Sequence, residues 1–259
     1  MHPIILHIYG PFSIHSYGLA IFIGFSLFFF LTKRAALEKK LVTEDSAYSI
    51  AQHCVFAAVI MGRLVHFLSE RENYTDWYDL ISFWDGGFSI LGAMIGVFAY
   101  APFILRIYQV PFLRMFDTGA LYVALLHVWG RIGCFCAGCC GGIATNSILG
   151  VIYTNPQSNA PLHIKIHPTQ LYSALIFFSI FIILRYICPR YCTKPGQITA
   201  LYLILASAER FIIDFIRNDR IPMVLFSFHQ WLALAVMGMA LLGFIYCSYQ
   251  KQHTAIYSQ

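Results

Sequence analysis

Charge is what this sequence has least of: only 11% of its residues are Asp, Glu, Lys or Arg, against 59% hydrophobic and 17% aromatic. That is too little polar surface to coat a soluble globule of 259 residues, so a water-soluble fold is excluded. A basic patch is missing as well. The formal net charge of +5 is scattered through the gaps between apolar runs, and no nucleic-acid partner is expected. Paired Cys-x-x-Cys halves are absent too. The run CFCAGCC (residues 134–140) holds four of the eight cysteines but has no second cluster, so neither a metal nor a strained Cys139–Cys140 disulfide is expected. Small apolar filler is the expected role of these thiols, as of Cys54, Cys188 and Cys247 in the spans. The first 18 residues lack the positive start and small-residue cleavage pattern of a signal peptide, so nothing is expected to be removed. With no internal repeat and no linker or low-complexity tract, residues 1–259 read as one integral-membrane domain.

What is present is apolar length. Seven runs, at about 17–31, 46–68, 88–107, 116–136, 169–188, 196–215 and 228–246, approach or reach the roughly 20 residues a spanning helix needs. The expected fold is therefore an all-α membrane protein of seven transmembrane helices, with a small outer-face head between spans 4 and 5. Ten of the seventeen basic residues (Lys33, Arg34, Lys39, Lys40, Arg106, Arg114, Arg185, Arg190, Lys194, Lys251) fall on one side of that topology. The positive-inside bias then puts the C-terminal tail in the cytoplasm and the N-terminus outside. Residues 137–168, the longest outer segment, read as turns and short strands.

Charges within the runs are the functional signal, because a charge at the bilayer centre costs at least about 3 kcal/mol on insertion scales. Arg131 sits deep in the fourth run, ahead of a glycine-rich exit at 138–142, and needs a partner or a ligand. Arg63 and His66 share a helix face, where snorkelling into the headgroups is the plain alternative to a site. Arg210, Asp214 and Arg217 fall at i, i+4 and i+7 of the sixth span, a single stripe, and a salt-bridge ladder is the plain alternative there. Three intramembrane arginines on three helices exceed what such pairing uses; clustered in the outer half they would hold an anion, and the anion at that depth is a lipid phosphate. Asp117, about 21 Å along the helix from Arg131, reads as an N-cap of the fourth span. His167-Pro168 reads as a helix start with an interfacial Tyr172, and Trp84 to Gly87 as an interfacial tryptophan and a turn.

Taken in order, HSYGLA (15–20), MGRLVHF (61–67), WDGGFS (84–89), Asp117, GRIGCFCAGCC (130–140), HPTQLYS (167–173) and ERFIIDFIR (209–217) resemble the prolipoprotein diacylglyceryl transferase family along nearly the whole chain. GRIG and HPTQLY are specific; WDGG alone would be weak. The resemblance implies a seven-span bacterial inner-membrane enzyme without cofactor or metal. Such an enzyme moves a diacylglyceryl group from phosphatidylglycerol to the lipobox cysteine of a prolipoprotein, whose signal peptide it must bind. It further implies that Arg131 and Arg210 are catalytic. Tyr17, Arg63, Gly142, His167, Gln170, Tyr172, Asp214 and Arg217 would bind or support the substrates, with Gly142 letting the outer loop approach the lipid. The chain departs from the family after WDGG: the family's histidine or tyrosine before a glycine pair is replaced in Phe88-Ser89-Ile90-Leu91-Gly92-Ala93, and Leu91 moves no proton. The proton acceptor is then the lipid phosphate, His167 or His66. Leu91 also favours a second reading, a weak or inactive paralogue that binds phospholipid or a client's signal peptide. A transporter would show inverted repeats, and none is found.

Overall fold

A computed structural model describes residues 3–9, 12–71, 76–80 and 87–249. The chain is mostly helical, and among the described residues seven α-helices match the seven apolar runs one for one. Five segments are long and apolar enough to cross a membrane: Ser16–Glu38, Glu44–Ser69, Phe112–Ala137, Thr169–Arg190 and Phe228–Tyr249. Large apolar side chains such as Phe22 (69% exposed) and Leu242 (69%) face outward, while Thr118, Gln170, Ser173, Glu209, Asp214 and Gln230 are buried. Apolar outside and polar inside is the arrangement of a multi-pass membrane protein.

The chain divides into two compact units, residues 1–32 with 116–259, and residues 33–115. In the first, strands β1 (Ile4–Tyr9) and β2 (Phe12–His15) pair antiparallel and lead into helix α1 (Ser16–Glu38). This hairpin, which the all-α expectation omits, is local pairing in a stretch too short to span. Helix α1 runs past its apolar run, which ends at residue 31, and Arg34 and Glu38 pair at i, i+4 (3.0 Å) in its last turns. Helix α4 (Phe112–Ala137) packs on α1 at small residues: a Cβ on Gly24 would stand 2.6 Å from Trp129 Cβ. Beyond α4, strands β3 (Val151–Ile152) and β4 (Lys165–Ile166) pair over a small core of Tyr153, Ala160 and Ile166. The Tyr153 hydroxyl donates to Phe135 O (3.0 Å), and burial pushes its phenol up to about 12.

Helix α5 (Thr169–Ile182) continues as a π turn, Ile183–Ile187, and a 3-10 turn, Cys188–Arg190. Helices α6 (Gln197–Ile213) and α7 (Phe228–Tyr249) complete the unit. Its core joins Ala120, Leu121 and Ala124 of α4 to Phe177 and Ile180 of α5, Leu184 of the π turn and Tyr202 of α6. Asp117 lies inside α4, not ahead of it, so it caps nothing there. Instead its buried carboxylate accepts from Gly196 N (2.6 Å), Thr199 N (2.8 Å) and Thr199 Oγ1 (2.7 Å). It is the N-cap of α6 supplied from another helix, because Gly196 (φ +92°) has no side chain of its own to accept.

In the second unit, Thr43 caps helix α2 (Glu44–Ser69) by accepting from Ser46 N, with Glu44 and Asp45 in the first turn. Helix α3 (Ile90–Ile107) is capped by Ser89. Cβ atoms on Gly92 and Gly96 would stand 2.5 and 2.4 Å from the Met61 and Ala57 carbonyl oxygens, so this Gly-x-x-x-Gly face is what lets α3 lie against α2. Trp84, Asp85, Gly86 and the tail at Lys251 lie outside the described residues.

Candidate active site

The site grows from the ends of α4 and α6. Arg131 stands two turns before the end of α4, half-buried, and has no ion pair or hydrogen bond among the described residues. Arg210, on the last turn of α6, reaches Asp214 at 3.4 Å. The helix stops at Ile213, and Asp214–Ile216 tightens to a 3-10 turn. Arg217 is extended (φ −81°, ψ 146°), so the expected stripe ends at Asp214. A stripe at i+7 needs two continuous α-turns, and the tighter turn removes them.

Arg217 is turned to another task. Its guanidinium grips Asp219 bidentately, with Nε donating to Oδ1 at 2.7 Å, and it also hydrogen-bonds the Cys140 thiol. Burial works against the Arg217 charge, but Asp219 and Cys140 together hold its pKa above the ordinary arginine value. Reciprocally, the Arg217 hydrogen bond holds the Asp219 carboxyl below the usual range. The Cys140 thiol is held below its usual value by hydrogen bonds from Cys134 and Cys139, with Arg217 adding to them. Residue 217 forms an antiparallel bridge with Gly142, and Ile143 N donates to Ile216 O (2.9 Å). A Cβ on Gly142 would lie 2.7 Å from both Ile216 O and His167 Cβ. Glycine is thus required there by protein on both sides, not only by an approaching lipid.

His167, Gln170 and Tyr172 meet the same loop. Gly142 N donates to His167 O (2.9 Å), Thr169 Oγ1 to Cys140 O (2.8 Å) and Gln170 Nε2 to Cys139 O (2.6 Å). Pro168 occupies the N-cap of α5 with no side-chain bond, so the first turn spends its polar groups on the cysteine loop rather than on itself. The Tyr172 hydroxyl lies 3.3 Å from His167 Nδ1. Tyr17, whose ring packs on Gly133, lies in the electrostatic field of Arg131 and of the Cys134, Cys139 and Cys140 thiols.

Asp214 is the hub. Fully buried (0% exposed), it accepts a short hydrogen bond from Ser227, with Arg220 Nε at 4.0 Å and His229 Nδ1 at 3.9 Å. Ser227 and Gln230 form a capping box at the start of α7: Gln230 N donates to Ser227 Oγ (3.1 Å) and Ser227 N to Gln230 Oε1 (2.9 Å). Sequence reasoning missed Asp219, Arg220, Ser227, His229 and Gln230. The Ser-x-x-Gln spacing ahead of an apolar run was a readable signal for two of them. Arg210 is coupled electrostatically to Arg217, Asp214, Arg131 and Asp219 together. Of the three intramembrane arginines expected to cluster, Arg131 and Arg210 come together within the first unit, where Arg217 and Arg220 join them, whereas Arg63 belongs to the second unit.

Arg63 belongs to the second unit. It is 1% exposed and donates to Leu80 O (3.2 Å) and Gly87 O (2.8 Å), so its charge is spent on loop carbonyls and does not snorkel. His66 and Arg63 press on Gly87 (φ +83°), where a Cβ would stand 2.3 Å from His66 Nε2. Leu91, in the first turn of α3, is 65% exposed.

The family described as prolipoprotein diacylglyceryl transferase matches residues 3–246. A phosphatidylglycerol–prolipoprotein diacylglyceryl transferase of Clostridium tetani is 31% identical over 255 residues, covering 97% of this chain and all of the relative. One of Rickettsia typhi is 31% identical over 229 residues, covering 85% of each chain, and a transferase numbered 2 of Clostridium perfringens is 28% identical over 228 residues, covering 87% and 88%. With the match running from the N-terminal hairpin through α7, and so across every element that builds the arginine cluster, the chain belongs to the prolipoprotein diacylglyceryl transferase family.

Proposed function

We propose that the protein transfers the diacylglyceryl group of phosphatidylglycerol to the thiol of the lipobox cysteine of bacterial prolipoproteins, releasing glycerol phosphate. The observation that carries the reading is a charge imbalance. Four arginines (Arg131, Arg210, Arg217, Arg220) gather around two carboxylates (Asp214, Asp219), and Arg131 has neither. Such an excess in an apolar setting calls for an anion, and the planar guanidinium fork matches phosphate oxygens.

In the reaction the cysteine sulfur attacks the glycerol carbon that carries the phosphate. The C–O bond breaks, its electron pair stays on the phosphate oxygen, and a thioether forms. Negative charge therefore grows on the leaving phosphate, where Arg131 and Arg210 are placed to offset it. Asp214 orients Arg210, and Ser227 fixes Asp214. Gln170 and Gly142 set the loop, and Arg217 anchors its far side. Tyr17 and Tyr172 support the bound substrates, while Arg63 holds the loop carbonyls of Leu80 and Gly87 in the second unit. Leu91 cannot take the thiol proton, which goes to the leaving phosphate or to His167, whose imidazole already faces the Tyr172 hydroxyl. A thiol is a few per cent ionised near neutral pH, and neighbouring arginines raise that share, so no dedicated base is indispensable.

The setting is a bacterial inner membrane crossed seven times by the single domain of residues 1–259. The N-terminus and the 137–168 head face outward and the tail faces the cytoplasm; the uneven lysine and arginine distribution supports this orientation. Purified protein given phosphatidylglycerol and a lipobox peptide is expected to yield thioether-linked diacylglyceryl peptide and glycerol phosphate in equal amounts. Phospholipid bound with no thioether formed would instead assign a binding protein.

A further inference from the structure

The proposed transfer uses none of the protein's own thiols, yet the structure collects three of them. Cys134 lies in the last turn of α4. Gly138 (φ +79°) ends that helix, with Gly138 N and Cys139 N both donating to Cys134 O (2.9 and 3.1 Å), and this turns the chain back over the helix end. Cys140 then adopts φ +59°, a left-handed conformation rare outside glycine, and its thiol turns to the same point as those of Cys134 and Cys139. The three sulfurs lie within 4.8 Å of one another, and all three thiols are free. The loop is held from outside by Gln170 and Thr169, which bond the Cys139 and Cys140 carbonyls, so its geometry does not depend on disulfide formation.

We propose that Cys134, Cys139 and Cys140 form a three-sulfur site for a soft, thiophilic cation of the Cu(I) type. An equilateral triangle of 4.8 Å edge has its centre about 2.8 Å from each sulfur, and a thiolate–metal bond is about 2.3 Å, so side-chain rotation of a few tenths of an ångström closes the set. Sulfur-only ligation selects soft ions over calcium or magnesium, and three ligands suit a three-coordinate ion better than zinc, whose structural sites take four. Three thiolates around one Cu(I) make a complex of net charge −2, with the displaced thiol protons going to solvent, and the Arg217 guanidinium that hydrogen-bonds Cys140 partly neutralises it. The motif spacing gave no hint of this, because the αL turn at Gly138, not the sequence interval, sets the sulfurs together.

The test is a titration of purified, detergent-solubilised, fully reduced protein with Cu(I) under anaerobic conditions, against bathocuproine disulfonate as competitor. One Cu(I) per chain is expected, with a sulfur-only shell by X-ray absorption and no displacement by equimolar zinc. Cys139→Ser and Cys140→Ser should each weaken binding more than a hundredfold, beyond the roughly 10–100-fold that loss of a ligand-orienting group costs, whereas Cys136→Ser and Cys54→Ser should not change it. In the unmutated protein, one equivalent of Cu(I) should shield Cys134, Cys139 and Cys140 from N-ethylmaleimide while Cys54 and Cys192 still react; this readout does not depend on how the variants fold. Binding no tighter than that of the Cys139→Ser variant, equal displacement by zinc, or unselective shielding of all the cysteines would each overturn the proposal.

Discussion

Arg131 gives the cleanest test of the phosphate reading, because it has no ion pair or hydrogen bond among the described residues for a substitution to break. Arg131→Lys keeps the positive charge and most of the point-charge attraction but removes the second, parallel hydrogen bond of the fork. A hydrogen bond to a charged group contributes about 1.5–3 kcal/mol, so the expected fall is about 10–150-fold, in kcat more than in KM if the contact tightens as the phosphate leaves. Arg131→Gln loses the charge as well and should fall further, toward or past the about 10²–10³ that removal of one oxyanion donor costs. The assay is diacylglyceryl transfer from phosphatidylglycerol to a lipobox peptide in detergent, with thermal unfolding measured alongside. Both variants should unfold close to the wild-type temperature, whereas Arg210→Lys disturbs the buried Asp214 and should lose stability as well as rate. Arg106→Lys, at the end of α3, is the silent control. Wild-type turnover by Arg131→Lys, or an equal loss in Arg106→Lys, would refute a bidentate phosphate contact and leave bulk charge as the explanation.

Asp117→Ala should destabilise the protein by about 2–4 kcal/mol in detergent unfolding, since cap loss alone costs about 1–2 kcal/mol and one buried and two partly buried donors lose their acceptor, with Asp117→Asn intermediate. Gly142→Ala places a Cβ 2.7 Å from the Ile216 carbonyl and should abolish transfer while the Cys140–Thr169 loop loses hydrogen-exchange protection; unchanged exchange would show that the loop yields. The depressed Asp219 carboxyl means that its ion pair with Arg217 stabilises fully above the unfolded value of about 3.9 and is lost as pH falls below it, so Asp219→Asn should lose most stability near pH 7 and converge on wild type in acid. Leu91→His should raise an activity already present, by up to about a hundredfold, and a wild-type protein inactive without that substitution would favour a non-catalytic paralogue.

The helices were readable from composition because lipid imposes a rule each run must obey locally: about 20 apolar residues, whatever the rest of the chain does. Arg131 and Arg210 were readable for the same reason, as charges in the wrong solvent. Family motifs reached Gly142 and the 167–173 segment, though not why Gly142 cannot carry a side chain. What the sequence alone could not decide was every relation fixed by how one element ends. The α6 stripe breaks because the last turn tightens at Asp214, which sends Arg217 to Asp219 and Cys140. Asp117 caps a helix whose first residues lie about 80 positions away, and Ser227 reaches back 13 positions to Asp214. The three thiols converge only because Gly138 and Cys140 take positive φ. Hydropathy is a property of a segment and can be summed along the chain; a hydrogen bond or a ligand triangle is a distance between segments, and only packing sets it.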